Sequence, residues 1–269
     1  MKISYYPYIR KLKDRFTISS HSRTETPAVM VEIGHNGLIG YGEAALPQYL
    51  REDQQSVIKF LGQVDLEKFS DPFQIESVIK NIDEIEEGNN AAKAAIDIAL
   101  HDLYGKMKNI PLYRLLNIEK REDLFSSYTI GISDEESLPR KIEEASEFKF
   151  LKIKLGTNND KQIINEIRSL TDKPLYVDVN QGWNDKSFAL DMLTFLVEQN
   201  VVLVEQPFRK ENLKDTAWLS ERSPLPIIAD EAVQSLNDLE KIKDIYSGVN
   251  IKLMKAGGIS KAYQMILRV

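Results

Sequence analysis

The sequence predicts an α/β protein in two parts, an α+β module over residues 1–120 and a (β/α) barrel over 121–269. Three observations carry that expectation. Strand-like segments followed by helical patterns fill the first part. From about Phe125 onward, strand and helix patterns alternate with a period of about 25 residues. Carboxylates and lysines recur near the ends of the later strand patterns.

With 42% hydrophobic and 28% charged residues, the chain of 269 has the composition of a folded globular protein that can bury a large core. The net charge is -6 and basic residues are scattered among acidic ones, which leaves no cationic stripe for a phosphate backbone and excludes nucleic acid as a partner. Absence of cysteine excludes disulfides, thiolate metal sites and a cysteine nucleophile. No signal-peptide pattern opens the chain and no apolar run reaches membrane-spanning length, so a cytoplasmic protein with no membrane partner is expected.

In chain order, Ile3–Leu12, Ala28–Ile33 and Leu38–Glu43 read as strands, the last two joined by GHNG, a hairpin signal. Between the first two runs TISSHSRTETP, residues 17–27, a polar loop rich in hydroxyls that can serve as a lid and select the distal part of a substrate. Helices are predicted from DQQSVIKFLGQV, PFQIESVIKNIDEI and the Ala-rich NNAAKAAIDIALHDLYGKM, whose small side chains suit close packing on a neighbour.

The later strands are SSYTIGI, FLKIKLG, PLYVDVN, VVLVEQP, PIIADEA and VNIKLMK, separated by amphipathic segments such as DKQIINEIRSL and NDKSFALDMLTFLVEQN. Repeated βα units of this length make either an open doubly wound sheet or a TIM-type barrel. No G-x-G-x-x-G loop follows the first strand, which disfavours a dinucleotide fold. Polar residues alternate with apolar ones in these strands: Asp178 sits between Val177 and Val179, and Lys252 between Ile251 and Leu253. An open sheet needs both faces apolar, whereas a barrel turns one set inward, so the alternation selects the barrel.

Asp178, Glu205 and Asp230 fall on the third, fourth and fifth of these strands. A lone acid reads as an N-cap or a loop ion pair. Three at one height in a low-dielectric mouth repel one another unless a cation is present, and a donor set of oxygens alone favours Mg²⁺ over zinc. Lys154 lies on the second strand and Lys252 on the sixth, opposite one another in an eight-stranded barrel. A substrate carboxylate held at the cation would set its α-carbon between them, one base to each face. Lys152 shares the face of Lys154, and its charge lowers the pKa of its neighbour toward the range of a general base. A solvated edge strand is the competing explanation for the K-x-K pattern.

LKIKLG, YVDVNQGW, LVEQP, IADEA and NIKLMKAGGIS, in this order and spacing, resemble the muconate-lactonizing-enzyme subgroup of the enolase superfamily, and AAIDIALHDLYGK resembles the helix before its barrel. The resemblance implies a capping domain on a barrel, Mg²⁺ held by Asp178, Glu205 and Asp230, and Lys154 and Lys252 as an acid/base pair. The strategy of that superfamily is a Lys or His base with Mg²⁺ stabilising an ene-diolate. By similarity, Lys152 and Asn180 support the site by touching the substrate carboxylate or a metal ligand. Arg23, in SRT, resembles the loop arginine that contacts the glutamate side chain in L-Ala-D/L-Glu-type dipeptide epimerases. It reads equally as a solvated loop cation. Thr129 faces inward at the end of the first barrel strand, where it can touch substrate. His21 reads as a polar loop residue, and Trp183 as a packing aromatic. Asp97, His101 and Asp102 read as an interface histidine with helix-surface acids.

The resemblance implies a small-molecule substrate, a dipeptide inverted at the α-carbon of its C-terminal residue. The alternatives are an N-acyl or N-succinylamino acid racemase, an o-succinylbenzoate synthase, and a non-catalytic incomplete barrel. Only six strands are counted of the eight expected, with two edges and an apolar lumen left uncovered. Truncation of a longer protein, or a homo-oligomer in which another chain completes the barrel, would account for it.

Overall fold

Asn36 and Gly37 both take left-handed backbone, with φ of 48° and 79°, and His35 pairs with Leu38 across them, so the GHNG run closes a two-residue hairpin. In the computed structural model, which describes residues 1–19, 21–132 and 137–269, this hairpin joins β2 (Ser22–His35) to β3 (Leu38–Ala45). On the other side of β2 lies β1 (Lys2–Thr17), giving the order β1-β2-β3. The loop expected over 17–27 is far shorter, because β1 runs to Thr17 and β2 begins at Ser22. Arg23 therefore stands on a strand. Alternating hydroxyl and charged residues, with β-branched Thr24 and Thr26, suit a ribbon with polar faces. Ser20, within the expected loop, lies outside the described residues.

The described chain divides into two compact units. One comprises Met1–Leu12, Glu25–Glu122 and Ile251–Arg268; the other comprises Lys13–Thr24, Asp123–Asn250 and Val269. The central break between Glu122 and Asp123 lies close to the expected 120, while the tip of the first hairpin groups with the second unit and the last helical segment with the first.

The first unit packs α1 (Gln54–Leu61), α2 (Ile75–Asp83) and α3 (Asn90–Lys108) against its sheet. The core gathers Val29, Val31 and Ile33 from β2 with Phe60, Ile82, Ile96, Leu100 and Leu103 from the helices. α3 carries Ala91, Ala92, Ala95 and Ala99 on buried positions. The small residues are required because β3 comes unusually close: a Cβ on Gly42 would fall inside the radius of the Ala95 carbonyl oxygen. α3 also attends to the backbone of β3. Asp102 Oδ2 accepts the Tyr41 N–H at 2.8 Å, and Lys106 Nζ donates to the Ile39 carbonyl at 2.8 Å. Asp97 is wholly buried, which corrects its reading as a surface acid; it accepts from Ser260 N at 3.0 Å and Ser260 Oγ at 2.6 Å. α4 (Leu112–Leu115) completes this unit together with α10 (Leu253–Ala256) and α11 (Ile259–Ile266).

The second unit is a six-stranded sheet of β4 (Ser127–Ile130), β5 (Phe150–Lys154), β6 (Leu175–Asp178), β7 (Val201–Glu205), β8 (Ile227–Ala229) and β9 (Gly248–Val249). The order follows the chain, and every pair is parallel. Its helices are α5 (Leu138–Glu144), α6 (Asp160–Leu170), α7 (Lys186–Glu198), α8 (Leu213–Ser220) and α9 (Leu236–Ile242). Local signals set their starts: the Asp185 side chain accepts from Phe188 N to cap α7, and Ser235 with Asp238 forms a capping box on α9. Apolar stripes such as Ala189, Met192, Leu193 and Leu196 of α7 are buried. Sequential parallel strands with helical crossovers are the TIM-type (β/α) arrangement.

One strand expectation is corrected at the far edge. The predicted strand VNIKLMK forms a ladder only as β9, and Lys252 instead caps the short α10. Within the described sheet β9 has a single neighbour, the three-residue β8, so few ladder bonds are available to hold it extended. The inward layer is also less apolar than expected, since Thr129, Lys152, Tyr176 and Leu203 stand side by side in register.

Candidate active site

Register builds the site. Lys154 pairs with Asp178 and Asp178 with Glu205, so three charged side chains from β5, β6 and β7 sit in one row at the C-terminal ends of their strands. Asp230 follows β8 by one residue. One carboxylate oxygen from each of Asp178, Glu205 and Asp230 lies within 4.8 Å of the others, and all three residues are buried. Lys152 and Lys154 are each only 8% exposed, which eliminates the solvated-edge explanation of the K-x-K pattern.

The acids are matched by ammonium groups. Lys152 Nζ is 2.7 Å from both Asp178 Oδ2 and Glu205 Oε2, and Lys154 Nζ is 2.6 Å from the same Asp178 oxygen. Asp178 Oδ1 takes the Asn180 N–H at 3.0 Å. Asn180 Oδ1 accepts a further bond from Lys154 at 2.8 Å, an arrangement helped by a left-handed backbone at Asn180. Burial opposes the charge on Lys152, yet Asp178 and Glu205 outweigh it and hold the ammonium above its ordinary pKa. Lys154 moves the other way: burial dominates, Asp178 offsets part of it, and the Lys152 charge adds to the depression. Asp178 is drawn below the usual carboxylate range, since the two lysines outweigh its burial, whereas burial and Asp178 push Glu205 up.

Several members of this cluster make bonds that no motif announces. Tyr176 donates to Glu205 Oε2 at 2.7 Å, and Asn250 Nδ2 donates to Glu205 Oε1 at 2.9 Å. Gln206, buried with φ of 42°, accepts from Asp230 N and Ala232 N, each at 3.0 Å, and donates to Phe208 O and the Tyr246 hydroxyl. That amide fixes the backbone on which Asp230 stands. Glu231 lies beside it, with burial, Asp230 and Asp178 together pushing its carboxyl up to about 7. Alternation in Y-V-D could have flagged Tyr176, two residues before Asp178 on the same face; Gln206 and Glu231 fall inside the LVEQP and IADEA motifs, but no spacing rule gives them a role.

Of the other predicted residues, Thr129 is exposed on edge strand β4 and pairs with Lys152. Arg23 places its guanidinium 5.5 Å from the Phe16 ring centre, and its Nε is buried without a hydrogen-bond partner among the described residues. Trp183 packs edge-on to Phe188 and donates to buried Asp160 at 2.8 Å. Lys252 belongs to the first unit, its Nζ 5.4 Å from the Tyr49 ring centre.

Three hard oxygen donors without nitrogen or sulfur suit a hard cation. The residues fit that use, because two ammonium groups already converge on a single Asp178 oxygen: the acids demand positive charge. Parallel βα units with such a cluster at the strand ends define an α/β-barrel enzyme with a candidate cation site.

Residues 6–117 match the mandelate racemase/muconate lactonizing enzyme N-terminal domain, and 137–268 match the enolase C-terminal domain-like family. The chain belongs to this family, within the enolase superfamily. It is 47% identical over 267 residues to an L-Ala-D/L-Glu epimerase of Bacteroides thetaiotaomicron, covering 99% of this chain and 70% of that protein. A substrate-liganded L-Ala-D/L-Glu epimerase from Bacillus subtilis superposes with a TM-score of 0.90 at 28% identity, over 100% of this chain and 78% of that one. A dipeptide epimerase from Cytophaga hutchinsonii, complexed with Mg and D-Ala-L-Val, gives 0.89 at 28% identity, over 98% and 75%. No helix among the described residues is long and apolar enough to cross a membrane.

Proposed function

We propose that this protein is a Mg²⁺-dependent isomerase that inverts the α-carbon of the C-terminal residue of a dipeptide, with glutamate as the preferred residue. The observation that carries the reading is the convergence of Asp178, Glu205 and Asp230 beside two buried lysines. Similarity to dipeptide epimerases over nearly the whole chain supports the substrate class.

Asp178, Glu205 and Asp230 would hold the ion, which when bound would supply positive charge for the substrate carboxylate. The residues of this chain do the rest. Lys154, depressed below its ordinary pKa, takes or returns the α-proton on one face. Lys252, two residues beyond Asn250 in the chain, serves the other face. Lys152 contributes a fixed charge, since its pKa is held high and its two carboxylate partners lock its position. Arg23, whose buried Nε lacks a partner among the described residues, pairs with the side-chain carboxylate of the substrate.

The test is proton exchange. With Mg²⁺ and L-Ala-L-Glu in D₂O, the glutamate α-proton signal should disappear and the L,D diastereomer should accumulate. Retention of the α-proton with dipeptides, combined with exchange of an N-succinylamino acid, would reassign the substrate. Retention with both would leave the enzyme reading without support.

A further inference from the structure

Glu231 is a buried acid with no part in the chemistry above. It is 6% exposed, and its Oε1 accepts from Asn180 Nδ2 at 3.3 Å, while Oε2 has no hydrogen-bond partner among the described residues. Asn180 in turn presents Oδ1 to Lys154 Nζ at 2.8 Å. The two ends of this amide are not interchangeable. With the amide reversed, an NH₂ group would face the Lys154 ammonium, donor against donor, so that contact would become repulsive. The backbone of Asn180 is already held by its own N–H to Asp178 at 3.0 Å and by Ser19 Oγ on its carbonyl at 3.3 Å. The remaining freedom is rotation of the amide, and Glu231 is what the Nδ2 end meets. A carboxylate buried with one oxygen unbonded is costly, so its place is not explained by stability.

We propose that Glu231 is a positioning residue for Lys154, acting through Asn180: it fixes the amide so that an oxygen accepts one N–H of the lysine and sets the direction of the others. The inference rests on the assignment of Lys154 as the base for one face of the α-carbon. Misplacement of a reacting group by about 1 Å costs on the order of 100-fold in rate. The loss should fall on one diastereomer, because only the proton on the Lys154 face depends on this lysine.

The experiment compares α-proton exchange in D₂O, with Mg²⁺, for L-Ala-L-Glu and L-Ala-D-Glu supplied separately. K154A identifies which isomer depends on Lys154. E231L is expected to slow exchange of that same isomer by roughly 10- to 100-fold, with exchange of the other within about threefold of wild type. E231Q keeps an oxygen for the Asn180 N–H and is expected to restore most of the exchange lost in E231L. Equal slowing of both isomers in E231L, no slowing of either, or an E231Q protein as impaired as E231L would each overturn the inference. If E231L does not fold, E231M, which keeps the side-chain length without an acceptor for the Asn180 N–H, takes its place in the same comparison of isomers. Failure of the parent reading looks different, since wild-type protein would then exchange neither isomer.

Discussion

Replacing Lys152 with methionine probes the charge balance of the site. Met keeps much of the length and apolar volume of the lysine stem but removes an ammonium that lies 2.7 Å from both Asp178 and Glu205, two carboxylates that are essentially unexposed. Removing one partner of a buried ion pair costs about 3–5 kcal/mol, because the remaining charge stays desolvated. Lys154 still contacts Asp178, so the deficit concentrates on Glu205, whose carboxyl keeps the neutral donors Tyr176 and Asn250. The lower end, about 3 kcal/mol, is therefore expected. For a unit of this size about 1 kcal/mol moves the midpoint by roughly 2–4 °C, which places K152M about 6–12 °C below wild type in EDTA. Melting followed by circular dichroism measures it directly. Mg²⁺ should raise the Tm of K152M more than that of wild type, since a bound ion supplies the missing positive charge and stabilises as its concentration exceeds Kd. A variant that melts within a degree of wild type in EDTA, or that gains the same increment from Mg²⁺, would refute the reasoning.

Other perturbations test separate parts of the account. R23A should lower kcat/KM for L-Ala-L-Glu by about 10- to 100-fold, the size of a lost charged hydrogen bond, and leave L-Ala-L-Leu nearly unchanged; equal losses on both dipeptides would remove Arg23 from substrate recognition. G42A should destabilise the first unit by about 1–3 kcal/mol or more through overpacking against the Ala95 carbonyl, read as a lower denaturation midpoint at unchanged m-value. Glu144, bonded to Lys13, Arg140 and Tyr128, has its pKa drawn down to about 2, so its contribution to stability is present above the unfolded carboxylate value and lost as pH falls through about 2. A carboxyl ¹³C titration of Glu144 with a midpoint near the ordinary 4.3 would contradict that network.

What the sequence makes legible is what periodicity controls. Lys154, Asp178 and Glu205 fall into one row because parallel strands in register bring residues of equal phase together, and the period of two fixes which face they share. Asp230 was expected on a strand and lies one residue past it, yet its oxygen still reaches the cluster, because Gln206 holds its backbone. Lys252 was misplaced since alternation in I-K-L-M fits a strand or a short helix equally, and the choice depends on ladder partners that local sequence does not encode. The hydroxyl-rich stretch around Arg23 misled in the opposite direction: polarity suggested a loop, while β-branched alternation in fact extends a hairpin. Glu231, Gln206 and Asn250 lie inside the quoted motifs, but their roles are bonds between strand ends far apart in the chain, which no spacing rule announces.

The close seating of α3 on β3 has a consequence for how this protein behaves among copies of itself. An edge strand exposes unpaired amides that can recruit a strand from another molecule. Here side chains of a helix stand in for that strand: Asp102 accepts the Tyr41 amide and Lys106 donates to the Ile39 carbonyl. The close seating allowed by Gly42 therefore brings Asp102 and Lys106 to where they guard this edge against runaway strand pairing. A bulkier side chain at position 42 would push the helix outward and reopen the edge, adding a route to aggregation to the cost in stability.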